Sequence, residues 1–197
     1  MGTTQSLEIR TLWMRACEGD GQAYADLIRP HLVVLNYVVA RYCSGDELED
    51  VVQETLMTLY EKLERFQPEK SFKGFLLGIA IRKCHTEIRS RKRRRAREEK
   101  AARAYSEPNP EDWAHHGELK ARLQHALAKL PKKRRDALIL RLDGGLEYNE
   151  IASVLGTSLG SARVLVHMAQ KDLCGALKDM ETNEGGSYGA RKAEVGI

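Results

Sequence analysis

Apolar residues recur at three- and four-residue steps in segment after segment of this chain, the spacing of amphipathic helices, and the predicted fold class is all-α. Helical periodicity runs from Leu7 to Cys17 and again from Gly21 to about Cys43, with Pro30 placed to bend or break the second stretch. A third helix carries Leu48, Val51, Val52, Thr55, Leu56, Leu59 and Leu63 on one stripe, with Ser44 or Asp46 available as its cap. It ends before Phe66-Gln67-Pro68, because proline cannot continue the hydrogen-bond ladder. Gln67 to Ser71 then reads as a loop, and Ser71 caps a fourth helix bearing Phe72, Phe75, Leu76, Ile79, Ala80 and Ile88.

The periodicity dissolves from about Arg97 to Asp112, where Ser106-Glu107-Pro108-Asn109-Pro110 holds two prolines in three residues. This predicts two small helical domains, over 1–97 and 118–180, joined by a flexible linker at 98–117. Residues 181–197, rich in glycine and small polar residues, are expected to be a mobile tail. Leu119, Leu123, Leu127 and Leu130 reopen helical spacing, and Pro131 stands where the next helix can begin. The stretch Asp143 to Lys171 then reads as two helices and a tight turn. Tyr148, Ile151, Ala152 and Leu155 form one stripe, Gly156 can take positive φ, and Ser158 can cap the second helix. Leu159, Ala162, Leu165, Val166 and Ala169 are expected to face inward, leaving Ser161, Arg163, His167 and Lys171 for a DNA groove. Short helix pairs are common, so this helix-turn-helix pattern is weak by itself.

Composition excludes several classes. Hydrophobic residues at 42% and charged residues at 30% are ordinary for a soluble globular protein. The longest apolar run, Leu32 to Ala40, is interrupted by Asn36 and far shorter than the roughly 20 residues that span a bilayer, so no membrane insertion is expected. The start MGTTQSLEIR has no secretory pattern, which makes the cytoplasm the expected location. Cys17, Cys43, Cys84 and Cys174 form no Cys-x-x-Cys pair, and are expected to be reduced and mostly core-filling, with no metal site. There is no glycine-rich phosphate loop, His-Glu-x-x-His or nucleophile elbow, so neither enzymatic activity nor a cofactor is expected.

The formal net charge of +4 conceals blocks of opposite sign. Asp46, Glu47, Glu49, Asp50 and Glu54 open the third helix, where negative charge also suits the helix dipole. A basic run follows at Arg82, Lys83, Arg89, Arg91 and onward to Arg97, and a second block, Lys132, Lys133, Arg134 and Arg135, precedes the helix-turn-helix. Two basic blocks on two units suggest a polyanion bound in two places.

These residues together resemble an extracytoplasmic-function, or group IV, RNA polymerase sigma factor of the sigma-70 family. Asp46-Glu47-Leu48-Glu49-Asp50-Val51-Val52-Gln53-Glu54 is similar to that family's D-x-E-D-x-x-Q-E stretch. Leu130-Pro131, Leu146-Glu147-Tyr148-Asn149-Glu150-Ile151-Ala152 and Leu155-Gly156 are similar to its LP and GLSYEEIAEILG signature. The resemblance implies promoter DNA and bacterial core RNA polymerase as partners, the latter through the clamp coiled coil of its β′ subunit. Asp46, Glu47, Glu49, Asp50, Gln53 and Glu54 would make that contact, although an exposed row of carboxylates is usually only a solvated face. It implies a minus-10 reading and melting element at Gln67 to Lys73 and the next helix. There Phe72 and Phe75 would stack on bases, worth about 1–3 kcal/mol each, and Lys73, Arg82, Lys83 and Arg89 would hold the strand. Both phenylalanines also fit a core stripe, Phe75 equally well. Minus-35 reading would fall to Lys132, Lys133, Arg134, Arg135, Ser161, Arg163, His167 and Lys171. Proteins of this kind are often held by an anti-sigma factor, which no residue here identifies.

The chain departs from the family where a usual tryptophan, asparagine and aspartate are Phe75, Arg82 and Thr86, and where two frequent arginines are Leu165 and Met168. Arg82 cannot accept a hydrogen bond, which favours phosphate or a guanine edge. Two other readings compete: a regulator that binds its operator alone and dimerises through the amino-terminal helices, and an adaptor that binds polymerase without reading DNA.

Overall fold

A computed structural model describes residues 2–102 and 118–190. Nine α-helices account for most of them: α1 Gly2–Cys17, α2 Gly21–Ile28, α3 Leu32–Ala40, α4 Asp46–Glu61, α5 Phe72–Ala102, α6 Glu118–Lys129, α7 Lys132–Leu142, α8 Tyr148–Leu155 and α9 Leu159–Ala190. Short 3-10 turns occupy Arg29–His31 and Leu63–Arg65. Among the described residues there is no strand, as the three- and four-residue periodicity predicts.

In the amino-terminal unit each break has a local cause. Asp20 caps α2 by accepting from the backbone N–H groups of Gln22 and Ala23. Pro30 sits inside the 3-10 turn that separates α2 from α3, so the proline breaks the predicted long helix. Ser71 starts α5, its Oγ accepting from the Gly74 N–H at 3.0 Å. The start of α4 differs from expectation: neither Ser44 nor Asp46 caps it. Gly45 occupies the cap position at φ +57°, and its carbonyl accepts from the Leu48 N–H at 3.0 Å. Leu35, Val38, Val39, Leu59, Leu63, Phe72, Leu76 and Leu77 fill the space between α3, α4 and α5.

In the carboxy-terminal unit Pro131 stands at the cap of α7. A capping box closes the start of α8, with Glu147 and Glu150 exchanging side-chain and backbone bonds. Gly156 ends α8 in the left-handed conformation at φ +61°. Ser158 then caps α9, its Oγ accepting from the Ser161 N–H at 3.1 Å. The chain bends by 98° between α8 and α9, within the range of helix-turn-helix pairs.

Further outcomes depart from the sequence reading. Leu159, expected to face inward, is 44% exposed, because it lies in the first turn of α9 beyond the reach of α7 and α8. Backbone helix continues in α5 to Ala102 and in α9 to Ala190, so the expected boundaries at 97 and 180 fall inside helices. Extending a helix needs only one residue fixed per bond, and the apolar stripe is not required for it. The prolines at 108 and 110, the centre of the expected linker at 98–117, lie outside the described residues, as does 191–197 of the expected tail.

The largest departure is in the core. A single cluster of buried side chains runs from Ala16 and Leu35 through Leu76 and Leu77 into Leu140, Leu146, Ile151 and Val166. The two units therefore share one apolar interior, with a smaller satellite of Leu127, Leu130, Leu138 and Ala169.

Candidate polymerase and nucleic-acid interfaces

On α4 the inward stripe of Val51, Thr55 and Leu59 turns Asp46, Glu49, Asp50, Gln53 and Glu54 to solvent. Glu47 sits on the flank instead, where it accepts a hydrogen bond from the Arg91 guanidinium at 2.9 Å. Glu54 also meets Lys83 Nζ at 3.3 Å but keeps most of its side chain exposed. Met57 and Tyr60, 66% and 50% exposed, continue the same outer face by further turns. Sequence reading passed over both because they follow the acidic row, and the signal was their position off the inward stripe.

The loop after the second 3-10 turn folds against an aromatic cluster. Phe66 meets Phe72 edge-on at 5.2 Å and Phe75 at 5.5 Å, and His31 lies 5.6 Å from Phe72. Phe72 is 2% exposed, a core residue as it stands, whereas Phe75 is half-buried at the rim. Phe75 packs against Phe66 and also lines a cleft. Burial and the neighbouring Lys73 charge push the His31 imidazole below its ordinary value. Arg82 and Arg89 are exposed, while Lys83 is engaged by Glu54. Lys73 donates from Nζ to the Gly145 carbonyl at 3.1 Å, a contact with the other unit.

On α9 the buried face is Ala162, Val166 and Ala169, and Ser161, Arg163, His167 and Lys171 are exposed. Arg163 hovers 5.8 Å from the Tyr148 ring. Val164 is 60% exposed on the same outer face, an apolar residue suited to a thymine methyl that sequence reading did not name. The basic block before it divides. Lys132 and Lys133 are exposed, but Arg134 pairs with Asp172 at 2.6 Å, and Arg135 stacks 5.1 Å over the Tyr42 ring of the other unit. Arg135 Nε is buried there without a partner.

Between the units lies a polar network that sequence reading missed. Asp136, 3% exposed within α7, accepts from the Tyr42 hydroxyl at 2.7 Å, and His85 Nε2 lies 2.8 Å from its other oxygen. The carboxylate places the imidazole proton on Nε2, since only a donor suits it. Burial and the Asp136 charge push the Tyr42 hydroxyl far above its ordinary value. Arg41 closes a two-bond fork on Asp143 at 2.9 and 2.5 Å. The cysteines behave as expected in part: Cys43 and Cys84 are buried free thiols, Cys17 is intermediate and Cys174 is exposed. Among the described residues no group of three or more candidate ligands could hold a metal ion, and no single helix is long and apolar enough to cross a membrane.

Residues 27–94 match Sigma-70 region 2, and residues 120–173 match Sigma-70, region 4. The chain belongs to the sigma-70 family. Its relatives include the ECF RNA polymerase sigma factor SigD of Mycobacterium tuberculosis, 31% identical over 87% of this chain and 84% of the relative. SigE of Mycolicibacterium smegmatis is 35% identical over 77% of this chain, a match that spans 60% of that longer protein. Among solved structures, CnrH in complex with the cytosolic domain of CnrY is 26% identical, covers 87% of this chain and 98% of CnrH, and has a TM-score of 0.66. RpoE of Bartonella quintana in complex with the anti-sigma factor NepR is 26% identical over 78% of this chain and 98% of RpoE, with a TM-score of 0.55.

This is therefore an ECF-type sigma factor, which works with RNA polymerase and promoter DNA in promoter-specific transcription initiation. Sigma factors are non-catalytic initiation factors. In this one the region 2 match carries the acidic face of α4 and the aromatic loop, and the region 4 match carries the 98° helix pair. The interunit residues Tyr42, His85 and Asp136 also fall within the matches. Asp136 had a legible sign: a carboxylate followed at once by Ala137-Leu138-Ile139-Leu140, at an inward position of α7.

Proposed function

We propose that this sigma factor divides its work among three surfaces. The exposed face of α4 docks on the β′ coiled coil of core polymerase, with Asp46, Glu49, Asp50, Gln53 and Glu54 supplying complementary charge and Met57 and Tyr60 supplying apolar contact. Glu47 contributes by holding α5 through Arg91. The observation that carries this reading is a solvent-facing carboxylate row beside two exposed large apolar side chains, on a chain of net positive charge. Negative potential there discourages DNA and orients a partner of opposite sign.

The loop 67–71 and the start of α5 read the minus-10 strand, with Phe75 at the cleft rim for stacking and Lys73, Arg82 and Arg89 for the backbone; Phe72 supports the loop from beneath. Lys132, Lys133, Ser161, Arg163, Val164, His167 and Lys171 read the minus-35 element. Arg134 and Arg135 act by holding α7 rather than by touching phosphate. Nucleotidyl transfer belongs to the polymerase, this chain contributes no catalytic step, and its place of action is the cytoplasm. An anti-sigma partner belongs to the same reading, supported by the solved CnrH and RpoE complexes.

The test is run-off transcription from core polymerase and the purified chain on genomic fragments. Wild type initiates at defined promoters. Asp50→Lys combined with Gln53→Ala, both solvent-facing, abolishes initiation and co-purification with core while helix content is unchanged. Retention of both activities by that double variant removes α4 from the docking role.

A further inference from the structure

Two cysteines meet inside the amino-terminal unit. Cys43 follows the end of α3 and Cys84 lies within α5, 3% and 0% exposed. Their chain neighbours fix them opposite each other. Tyr42 and His85 hold the same Asp136 oxygen at 2.7 and 3.0 Å, and their rings lie 5.5 Å apart. The Cys84 thiol donates toward the Cys43 sulfur. The pair is asymmetric. Cys84 faces the Asp136 carboxylate, and its hydrogen bond to Cys43 together with burial raises its thiol. Cys43 faces Arg91, Glu47 and Glu87; the hydrogen bond from Cys84, with help from the Arg91 guanidinium, holds its thiol below the ordinary value in spite of burial. A thiolate is the form that attacks an oxidant, so Cys43 is the nucleophile of the two. Arg91 and Glu47 pair at 2.9 Å and are partly exposed, and such a pair is held weakly enough to part and admit a small solute.

We propose that Cys43 and Cys84 form an oxidisable dithiol, a site at which a small hydroperoxide creates a disulfide inside the amino-terminal unit. The Cys43 sulfur attacks the peroxide and takes its terminal hydroxyl, so that an S–O bond forms as the O–O bond breaks. Cys43 becomes a sulfenic acid, and the alkoxide leaves with the former thiol proton as an alcohol, or as water when the oxidant is hydrogen peroxide. The Cys84 sulfur then attacks the Cys43 sulfur. An S–S bond forms, the S–O bond breaks, and the hydroxyl leaves with the Cys84 proton as water. Two thiols lose two electrons and the peroxide gains them. The product closes residues 43–84 into one covalent loop that contains α4 and the loop 67–71. A cross-link of that kind restricts the unfolded chain and stabilises the folded one.

The test treats the folded full-length chain with hydrogen peroxide, then unfolds it in urea with a maleimide to count the remaining thiols. Wild type, which has four cysteines, takes up two fewer maleimides after treatment. It also yields a cross-linked tryptic peptide joining Cys43 to Cys84, which dithiothreitol separates. Cys174 is exposed, and Cys174→Ser, which prevents links through it between copies, gives the same cross-linked peptide. The oxidised chain has a higher urea midpoint than the reduced one. Cys84→Ala strips Cys43 of its resolving partner, so a 1,3-dione traps a sulfenic acid at Cys43, whereas Cys43→Ala gives no adduct at Cys84. Circular dichroism checks that both variants fold, and the peptide from wild type and Cys174→Ser decides the matter if either does not. Cys43 and Cys84 that both stay free in the folded chain while Cys174 is oxidised overturn the proposal. Equal trapping at the two positions overturns the assignment of Cys43 as the attacking thiol.

Discussion

Single side chains here carry both packing and polarity, and the consequences can be measured one at a time. Gly144 follows α7 where a Cβ would stand 2.6 Å from the Leu140 carbonyl and 3.0 Å from Leu77 of the other unit. The first neighbour is backbone and cannot swing aside. Gly144→Ala therefore lowers stability by about 1–3 kcal/mol, the usual cost of overpacking, read from the urea midpoint. His31 makes a different prediction. Its imidazole is held below the ordinary value of 6.5 by burial and by Lys73, so the unfolded chain binds a proton that the folded site resists. The site is neutral in both states well above that pH, and stability is lost as pH falls through the unfolded value. His31→Gln flattens this slope; identical pH profiles of the urea midpoint for wild type and variant remove the assignment.

Helices and their ends show how much a sequence discloses. The stripe of α4, the break at Pro30, the cap at Ser71 and the turn at Gly156-Ser158 were all legible, because each depends on residues within one or two turns. Ser158→Ala tests the last of these: it removes the acceptor for the Ser161 N–H and costs about 1 kcal/mol, measurable by denaturation of the purified chain. Less legible were features set by distant partners. The inward or outward facing of Leu159 depends on where α7 ends, and the engagement of Arg134 and Arg135 depends on Asp172 and Tyr42. Charge runs announced that cations were present, not which of them were already occupied. Lys132 and Lys133 remain exposed, so their joint replacement by alanine lowers the salt slope of promoter binding by about 2, near 0.9 per phosphate contact. Replacing Arg134 leaves that slope unchanged and lowers stability instead.

At the scale of the whole molecule, the sequence indicated two domains and the structure joins them through one interior. A proline-rich gap in periodicity says where helices stop; it carries no information about whether the helices on either side meet again. The shared cluster that includes Leu77, Leu140, Leu146 and Ile151 makes unfolding of one unit expose apolar surface of the other. Exposed area raises the free energy of any half-unfolded form, so the wild-type chain unfolds in a single cooperative transition despite its two sequence domains. Val154→Asp removes that coupling by unseating α8 from Gly74 and Gly78, and the same titration then resolves two transitions, each with a shallower dependence on urea because each exposes less surface. Circular dichroism follows both units, and with Trp113 replaced by Phe the remaining Trp13, whose indole donates to the Leu63 carbonyl at 2.9 Å, is a fluorescent reporter inside the amino-terminal unit. In wild type the two signals coincide across the transition. Wild-type signals that separate would show that the interface contributes too little to couple the units.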